Sequence, residues 1–600
     1  MVTPSKFKHG LLALLISAAL TGCGLDGDDG ETGPQGAQGP QGEQGENGED
    51  GSDGQDASLG VTMDVVARAF LGNQGAAEIV QYDAENQVVY ATNSATNSIA
   101  AINIGGISSE AMTDPVGQLN LNPQTFALPE EVDGNPLGGV TSIAVSGDLM
   151  AVAVTAETKT DPGYVLFYNG VESASLEYVD AVLVGSLPDM VTFTPNGGKA
   201  IVANEGEPNG DYSIDPEGSV AVIDILASNE PAETATFITF TDLNGTQAEL
   251  MAQGLMFPNP TGRTINGNDI DISVAQDLEP EYITATNERA YVTLQENNGM
   301  AIVDLEDMTV EVVGLGVKSW SGLNIDVQEN GQVSFGQYTG LYGVYMPDTI
   351  THFDWKGAEF LITANEGDAR EYFFDVADEA ECAAAGGQDY DEDDGCLAYT
   401  DEMQVGDLTA EPNSELAQLQ TLGEVDDLRV TDAMGDADGD GEYDAAYTYG
   451  ARSFTIWDQN GLVVFDSGDD FERITASVHG AQFNNGDDEN EGDSRSENKG
   501  PEPEAVTVGK IGDRTYAFIG TERMGGIFVY DVTNPYDAKF SEYVINRDLT
   551  EGLTADDVIG DLAPESLVFI SAEDSPTGTP LLVVGNEVSG TVSVWSVNPN

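Results

Sequence analysis

The sequence predicts an all-β fold, a seven-bladed β-propeller of the YVTN/WD40-like class, and an internal repeat carries this prediction. Each copy opens with a short turn, acidic in most copies, that runs into an apolar strand. It closes with an apolar strand ending in a polar–Glu pair and then a glycine-led strand, as in AYVTLQENNGMAIVD and LLVVGNEVSGTVSVW. Repeats of short strands are typical of propellers, so seven copies predict seven blades. The opening turns are residues 77–80, 140–143, 188–191, 280–283, 347–350, 503–506 and 564–567.

An export signal is predicted at residues 1–22. Lys6 and Lys8 precede an apolar run that is too short to span a bilayer. The run leads into Leu-Thr-Gly-Cys23, which resembles the lipobox of bacterial lipoproteins and predicts lipidation of Cys23; a chance cysteine after an ordinary signal peptide is the alternative. Gly24 rather than Asp follows, which favours the bacterial outer membrane or cell surface. The predicted contact with the membrane is through this lipid anchor only.

A stalk is predicted at residues 23–57. Glycine occupies every third position from Gly24 to Gly54, the period that a collagen triple helix requires at its axis. The tract has only two prolines, and its many carboxylates have no Lys or Arg beside them, so neighbouring chains would repel one another. Two interpretations follow, an extended tether or a collagen-like stalk that joins three chains into a homotrimer.

The charge balance bounds the partners. The chain carries 105 acidic and 20 basic residues, a formal net charge of −85. Repulsion excludes nucleic acid as a partner. Charge of this size destabilises a compact state unless cations are present, which predicts a saline habitat or bound divalent cations.

Residues 58–600 are predicted to form the propeller, with an insertion at about 372–449 in the blade that opens at Pro347. The insertion contains Cys382 and Cys396, which in an exported protein predict a disulfide. It also contains a predicted helix near residues 414–422. Only two histidines remain in the mature chain, so a His-rich zinc or copper site is not expected.

The strongest metal motif is DADGDGEYD in the insertion. Asp436, Asp438, Asp440 and Asp444 hold positions 1, 3, 5 and 9 of a loop, and the carbonyl of Glu442 falls at position 7. Ca²⁺ prefers six to eight oxygen ligands, and the glycine at position 6 permits the sharp turn. Position 12 is a tyrosine rather than the glutamate of an EF-hand. The pattern therefore predicts a structural Ca²⁺ loop like those of integrin-type blades; a solvated Asp/Gly turn is the alternative.

The repeat also predicts an acid ring, twelve carboxylates at one end of the channel. The first acid starts the inner strand and the second ends the next, antiparallel strand, so both lie on one face. A structural role in each turn is the alternative to ligand binding. The ring consists of Glu78, Asp189, Glu281, Asp348, Glu504 and Glu565 in the opening turns and Glu157, Glu205, Glu296, Glu366, Glu522 and Glu587 at the strand ends.

Four scarce arginines lie near the predicted ring or the insertion. Arg370 and Arg523 follow blade-end glutamates, and Arg452 and Arg473 flank a strand after the insertion. Each can brace a carboxylate or hold an anion such as phosphate beside a metal. The candidate catalytic residues are accordingly Arg370, Arg523, Glu205 and Glu366.

Long segments resemble the choice-of-anchor I family from about Val65 to Val597, among them LPDMVTFTPNGGKAIVANEGEPN, TANEGDARE, FDSGDDFERIT and KGPEPEAVTVGKIGDRTYAFIGTERMGGI. That family is similar to mesenchyme-specific cell surface glycoproteins, and some members are labelled alkaline phosphatase-like. The resemblance implies an exported, anchored propeller.

Two functions are consistent with these observations. The favoured one is a non-enzymatic, Ca²⁺-binding propeller displayed on a stalk at the surface for adhesion, matrix or ligand interaction, with an unidentified extracellular or periplasmic ligand. The alternative is a secreted, metal-dependent phosphoesterase, for which the chain shows no nucleophile motif.

Overall fold

The computed structural model describes residues 60–171 and 175–600. Cys23, the export signal and the Gly-X-Y tract lie outside these residues. Seven antiparallel sheets, blades 1–7, confirm the predicted fold. Their first strands contact one another in a closed ring, so each is the inner strand of its blade.

The blades follow one another along the chain, each built from the inner strand outward. Blade 1 consists of Ala76–Asp83, Val88–Asn93, Ser98–Asn103 and Gln124–Ala127. Blade 2 consists of Asn135–Ser146, Leu149–Ala156, Pro162–Asn169 and Glu177–Ser186, with the short strand Glu131–Val132 beside Asn135–Ser146. Blade 3 consists of Pro188–Phe193, Lys199–Asn204, Ser219–Asp224 and Thr236–Thr239. Blades 4 and 5 are Ile283–Ala285, Arg289–Leu294, Gly299–Asp304 and Thr309–Gly314; and Ile350–Trp355, Ala358–Asn365, Ser453–Asp458 and Val463–Asp466.

The ring closes by joining the two ends of the propeller in one sheet. Blade 6 is Pro503–Ile511, Arg514–Thr521, Ile527–Asp531 and Lys539–Val544. Blade 7 takes Pro564–Ile570, Leu581–Asn586 and Thr591–Pro599 from the C-terminal segment, and its outer strand is Val61–Phe70, which pairs antiparallel with Thr591–Pro599. Closure of this kind leaves no open ring edge, and it ties residue 61 to residue 599.

Each blade-to-blade contact has its own apolar core, because strands buried on both faces present side chains to both neighbours. Seven separate clusters of buried residues fill the seven contacts. Between blades 4 and 5, for example, Tyr291 packs with Leu361 and Trp457. Each blade thus buries its faces only against its neighbours.

Two long chain segments, residues 315–349 and 366–452, form a subdomain on blade 5. Residues 366–452 connect Ala358–Asn365 to Ser453–Asp458, and the predicted 372–449 insertion lies within them. Together with residues 315–349 they bury a shared core that includes Trp320, Leu341 and Leu428. Their small sheets are Val317–Ser319, Leu341–Val344 and Ala446–Thr448; Tyr372–Phe374, Gly395–Tyr399 and Asp389–Asp391; and Glu402–Gln404 and Arg429–Thr431.

Helices are few and short. The helix predicted near 414–422 is confirmed as Glu415–Gln420, where the Ser414 hydroxyl accepts a hydrogen bond from the Ala417 amide at 3.0 Å and caps the first turn. Cys382 and Cys396 form the predicted disulfide, which joins a helix to strand Gly395–Tyr399. The other described α-helices are Gln247–Met251, Val274–Asp277, Glu379–Ala385 and Asp470–His479. Described 3-10 turns are Ser94–Thr96, Thr241–Leu243, Val405–Asp407 and Gly480–Gln482. Thr264–Ile265 and Asn268–Asp269 form a further hairpin.

Candidate functional site

The acid ring meets at the centre of the propeller. A cavity of about 520 Å³, the central cavity, is lined by eleven of the twelve predicted carboxylates, which confirms that the repeat gathers them on one face. Tyr282, Gln295, Asp368 and Arg523 are also among its lining residues. The eleven are Glu78, Asp189, Glu205, Glu281, Glu296, Asp348, Glu366, Glu504, Glu522, Glu565 and Glu587.

Strand register brings the two acids of a blade together. In blade 3 Pro188 pairs with Asn204, so the next residues, Asp189 and Glu205, lie at the same end of the hairpin. A β-bulge follows between Pro188 and Val191, which lets the acid turn into the channel while the rest of the strand keeps its pairing. Blades 6 and 7 repeat the pairing and the bulge.

In four blades the backbone of the turn before the inner strand is strained. The residue that precedes the repeat's proline has a positive φ of 44–54°, an uncommon conformation for residues with a Cβ atom. Such strain persists only where surrounding contacts enforce it, and it clusters at functional sites. The four residues are Leu187, Met346, Glu502 and Ala563.

Burial sets the protonation of the cavity. It is the leading cause that raises the pKa of Glu78, Asp189 and Glu296 to about 7 and that of Glu565 to about 8, and neighbouring carboxylates add to it. Burial also raises the pKa values of the other members: Glu205, Glu281, Asp348, Glu366, Glu504, Glu522 and Glu587. Near neutral pH the cavity must therefore hold protons or cations.

Beside the cavity lies a carboxylate that cations of the protein itself neutralise. Glu502, which is fully buried, lies 2.9 Å from Arg495, 3.3 Å from Lys499 and 3.3 Å from Arg523. Burial opposes its charge, but the three cations outweigh burial and lower the pKa of Glu502. Lys499 also lies 3.6 Å from Glu366. This charged group was not predicted: Glu502 matches Glu279 of blade 4, which also precedes the repeat's Pro-Glu, and the only distinguishing signal is that Lys499 has no counterpart in the other repeats.

Glu157 is the one acid that does not line the cavity. It is exposed, and its amide donates to the carbonyl of Pro136 at 3.2 Å. The inner strand of blade 2 has two bulges, after Leu137 and after Val140, and its opening turn lacks both proline and acid. The different turn explains why the repeat pattern misplaces Glu157.

The predicted arginines separate into different environments. Glu205, Glu366 and Arg523 line the central cavity. Arg370 is instead 4% exposed, and its guanidinium contacts Asp277 and lies 2.8 Å from Glu279.

The other two arginines lie outside the cavity lining. Arg452 is buried, 2.7 Å from Glu472, and donates to the carbonyls of Asp326, Ser496 and Asn498. Arg473 is largely exposed beside acidic residues of its own helix. Arg452 has the environment of a brace.

The 436–444 loop lies in the blade-5 subdomain. The carboxylate of Asp436 accepts amide hydrogen bonds from Gly439 at 2.7 Å and from Gly441 at 2.8 Å, and the Gly441 bond is the leading cause that lowers the pKa of Asp436. Gly441 has φ 87°, which a residue with a Cβ would adopt only under strain. Ligand oxygens of Asp436, Asp438 and Asp440 lie within 4.8 Å of one another.

The remaining predicted ligands of this loop are placed differently. Glu442 groups with Asp440 and with Glu411, a residue that the motif did not include. Asp444 is exposed, and its amide donates to Gly435. The oxygen-only donor set and the ionised Asp436 fit Ca²⁺.

Comparison with known proteins assigns the family. The model of the choice-of-anchor I domain matches residues 78–535. The chain belongs to the choice-of-anchor I family. It is 31% identical to gigasin-3a of Magallana gigas over 182 residues, which cover 26% of this chain and 60% of that protein. It is 28% identical to a mesenchyme-specific cell surface glycoprotein of Strongylocentrotus purpuratus over 259 residues, 39% of this chain and 32% of that protein.

Solved structures similar to the chain include propellers. The RRP9 WD40 repeats align with 90% of this chain and 100% of theirs at 8% identity and a TM-score of 0.40. The Cps50 (Swd1) β-propeller domain of Myceliophteria thermophila aligns over 90% and 100% at 9% identity and a TM-score of 0.39.

The choice-of-anchor I match begins at the first acid of the ring, Glu78, and ends after the third strand of blade 6. It therefore contains the acids of blades 1–6, the Lys499–Glu502 group and the 436–444 loop. Glu565 and Glu587 of blade 7 lie beyond it but complete the same cavity.

Proposed function

We propose that this protein is a cell-surface lipoprotein that displays a Ca²⁺-binding β-propeller on a stalk for adhesion, matrix contact or ligand binding. The observation that carries the proposal is the 436–444 loop, where three aspartates converge on an exposed turn with no Lys or Arg among them. Ca²⁺ is the cation that such a flexible carboxylate loop suits best. The similarity to a mesenchyme-specific cell surface glycoprotein supports the location.

The anchor is the lipid on Cys23, and the Gly-X-Y tract is the stalk, either a tether or a trimer. No helix within the described part of the chain is both long and apolar enough to cross a membrane. The ligand reached by the displayed propeller is extracellular or periplasmic.

Replacing Cys23 tests the anchor. We expect Cys23→Ser to move the protein from the membrane fraction to the soluble fraction, because a lipid-modified cysteine supplies the membrane affinity. Cell fractionation with immunoblotting measures the change, and Cys382→Ser, which removes one sulfur of the disulfide, is the control that should stay with the membrane. Firm membrane association of Cys23→Ser would rule out the lipid anchor.

Replacing the loop aspartates tests Ca²⁺ binding. We expect the double variant Asp436→Asn with Asp438→Asn to show a smaller rise in melting temperature on addition of Ca²⁺ than wild type does. The reason is that an ion that binds only the folded state stabilises it, and the variant loses the ion of the loop. Differential scanning fluorimetry with Ca²⁺ and with chelator measures the rise.

Asp391→Asn is the matched control for the loop variant. Asp391 is an exposed aspartate of the same subdomain whose carboxylate also accepts backbone amides, from Asp393 at 2.6 Å and Asp394 at 3.1 Å. An identical Ca²⁺ response in wild type, loop variant and control would contradict a calcium loop.

Phosphoester hydrolysis is the second candidate, and one observation favours it: Arg523 lies at a carboxylate-lined cavity. Arg523 is, however, already paired with Asp487 at 2.7 Å and Glu522 at 3.1 Å. Arg370, the other half of the predicted phosphate clamp, is engaged by buried carboxylates. The binding function is therefore the better supported of the two.

A further inference from the structure

We propose that the central cavity holds a second cation site, separate from the 436–444 loop, in which Asp348, Glu366 and Glu504 bind one Ca²⁺ ion at the junction of blades 5 and 6. The three residues come from the opening turn and second-strand end of blade 5 and from the opening turn of blade 6. The site does not depend on the loop or on the lipid anchor.

The spacing of the three carboxylates suits a single ion. One oxygen from each of Asp348, Glu366 and Glu504 lies within 4.8 Å of the others. Two ligands of one Ca²⁺ ion, each at about 2.4 Å, are at most about 4.8 Å apart. The three side chains can therefore share an ion without a change in the backbone.

Glu504 supplies independent evidence for a missing ligand. It is 8% exposed and lines the cavity, yet its Oε2 has no hydrogen-bond partner among the described residues. A buried carboxylate oxygen without a partner is costly, so such an atom normally has a proton, a water or a metal against it. The other two ligands are partly satisfied: Glu366 accepts from Gln295 at 2.9 Å, and Asp348 from Thr349 at 3.0 Å.

The surrounding charges distinguish this triad from its neighbour. Glu366, Glu502 and Glu522 also lie close together, but Lys499, Arg495 and Arg523 already neutralise that group. In contrast, no ion pair involves Asp348 or Glu504 in residues 60–171 and 175–600.

Most charged groups that face the triad have the same sign as the triad itself, and the exception is Lys499, which lies 3.6 Å from Glu366. Glu565 repels Asp348 and Glu504 but also shares a side-chain hydrogen bond with Glu504, and Glu281 repels Asp348. The uncompensated negative charge is thus concentrated where the three ligand oxygens meet.

The donors select the class of ion. All three side chains offer carboxylate oxygens, and the lining of the cavity contains neither His nor Cys. Hard cations prefer such ligands, and Ca²⁺ tolerates irregular geometry better than Mg²⁺. The ion would join two blades at a place where burial of like charges otherwise pushes them apart.

Counting bound Ca²⁺ in variants of the full-length chain tests the site. Equilibrium dialysis with ⁴⁵Ca²⁺ on the detergent-purified lipoprotein should show one ion fewer per chain in Asp348→Asn with Glu504→Gln. The loop variant Asp436→Asn with Asp438→Asn should lose a different ion, so the two sites fail separately. Glu157→Gln removes the repeat acid that lies outside the cavity, and it should bind as wild type does.

Glu504→Gln alone guards against a folding defect, because it keeps the shape of the side chain and removes one charge. We expect it to weaken Ca²⁺ binding at this site by roughly tenfold or more, since ligand charge tunes affinity. A wild-type count and affinity in Glu504→Gln and in the double variant would overturn the proposal. So would a loop variant that binds no Ca²⁺ at all.

Discussion

Replacing Arg370 with methionine should lower the free energy of unfolding by roughly 3–5 kcal/mol, because it leaves two buried carboxylates without their cation. Its guanidinium donates to the carbonyl of Asp277 at 2.7 Å, contacts the carboxylate of the same residue and lies 2.8 Å from Glu279. Both acids are almost fully buried, at 2% and 3% exposure. Burial opposes the charge on Arg370, but Glu279 and Asp277 outweigh it and raise the pKa of Arg370.

Urea denaturation followed by tryptophan fluorescence measures the loss. Arg473→Met is the matched control, because that side chain is 53% exposed and pairs only with Asp469 and Asp470 on the surface. Exposed pairs of this kind contribute about 0–1 kcal/mol. Equal losses in the two variants would contradict the assignment of Arg370 as a buried brace.

Neutralising the partners separates a brace from an anion clamp. Adding Asp277→Asn and Glu279→Gln to Arg370→Met should recover part of the lost stability, since no unpaired charge then stays buried. An arginine whose role is to clamp phosphate would instead lose ligand binding, with stability unchanged by either variant.

Arg370 also shows where sequence reasoning ends. Its place shortly after Glu366 predicted the acid face, but the side chain contacts Glu279 and Asp277, the latter 93 residues earlier, in the segment between blades 3 and 4. Local spacing gives the strand end on which a residue lies. It does not give the loop that packs over that end.

The blades and the ring were predictable for a physical reason. Strand alternation and antiparallel pairing fix which end of a hairpin an acid occupies, so a pattern such as Pro188-Asp189 with Asn204-Glu205 determines the face. Glu157 broke the pattern because its blade opens with a different turn. The Lys499–Glu502 group was not predictable, since Lys499 has no counterpart in the other repeats and its contacts with Glu366 and Asp368 join residues that are distant in sequence.

Several of the scarce basic residues lie inside the protein. Six of the 20 are buried, where they brace carboxylates, carbonyls or an aromatic ring: Arg68, Lys318, Arg370, Arg452, Lys499 and Arg547. On the exterior, carboxylates far outnumber the remaining cations. We therefore expect a cation-rich medium to support the fold in two ways, by screening the surface charge and by supplying the cation proposed for the central cavity.

Stability should depend on pH in the direction opposite to most proteins when divalent cations are removed. The pKa of Glu565 rises from its ordinary 4.5 to about 8 in the folded chain, and that of Glu78 to about 7. A carboxyl with a raised folded pKa contributes its stability below the unfolded value and loses it as pH climbs to the folded value. With chelator, the melting temperature should therefore fall between about pH 4.5 and pH 8.

Ca²⁺ should reverse this loss, and the reversal should be larger at pH 8 than at pH 5, because the cation competes with protons for the same carboxylates. Scanning calorimetry at high NaCl separates the cavity from the surface, since salt screens exposed charges far more than buried ones. Arg523 and Lys499 face the same groups and stay charged throughout, so they do not add a slope. Glu504→Gln with Glu565→Gln should flatten the profile, and Glu157→Gln should leave it unchanged. A melting temperature in chelator that is the same at pH 5 and pH 8 would mean that the buried carboxylates do not control stability.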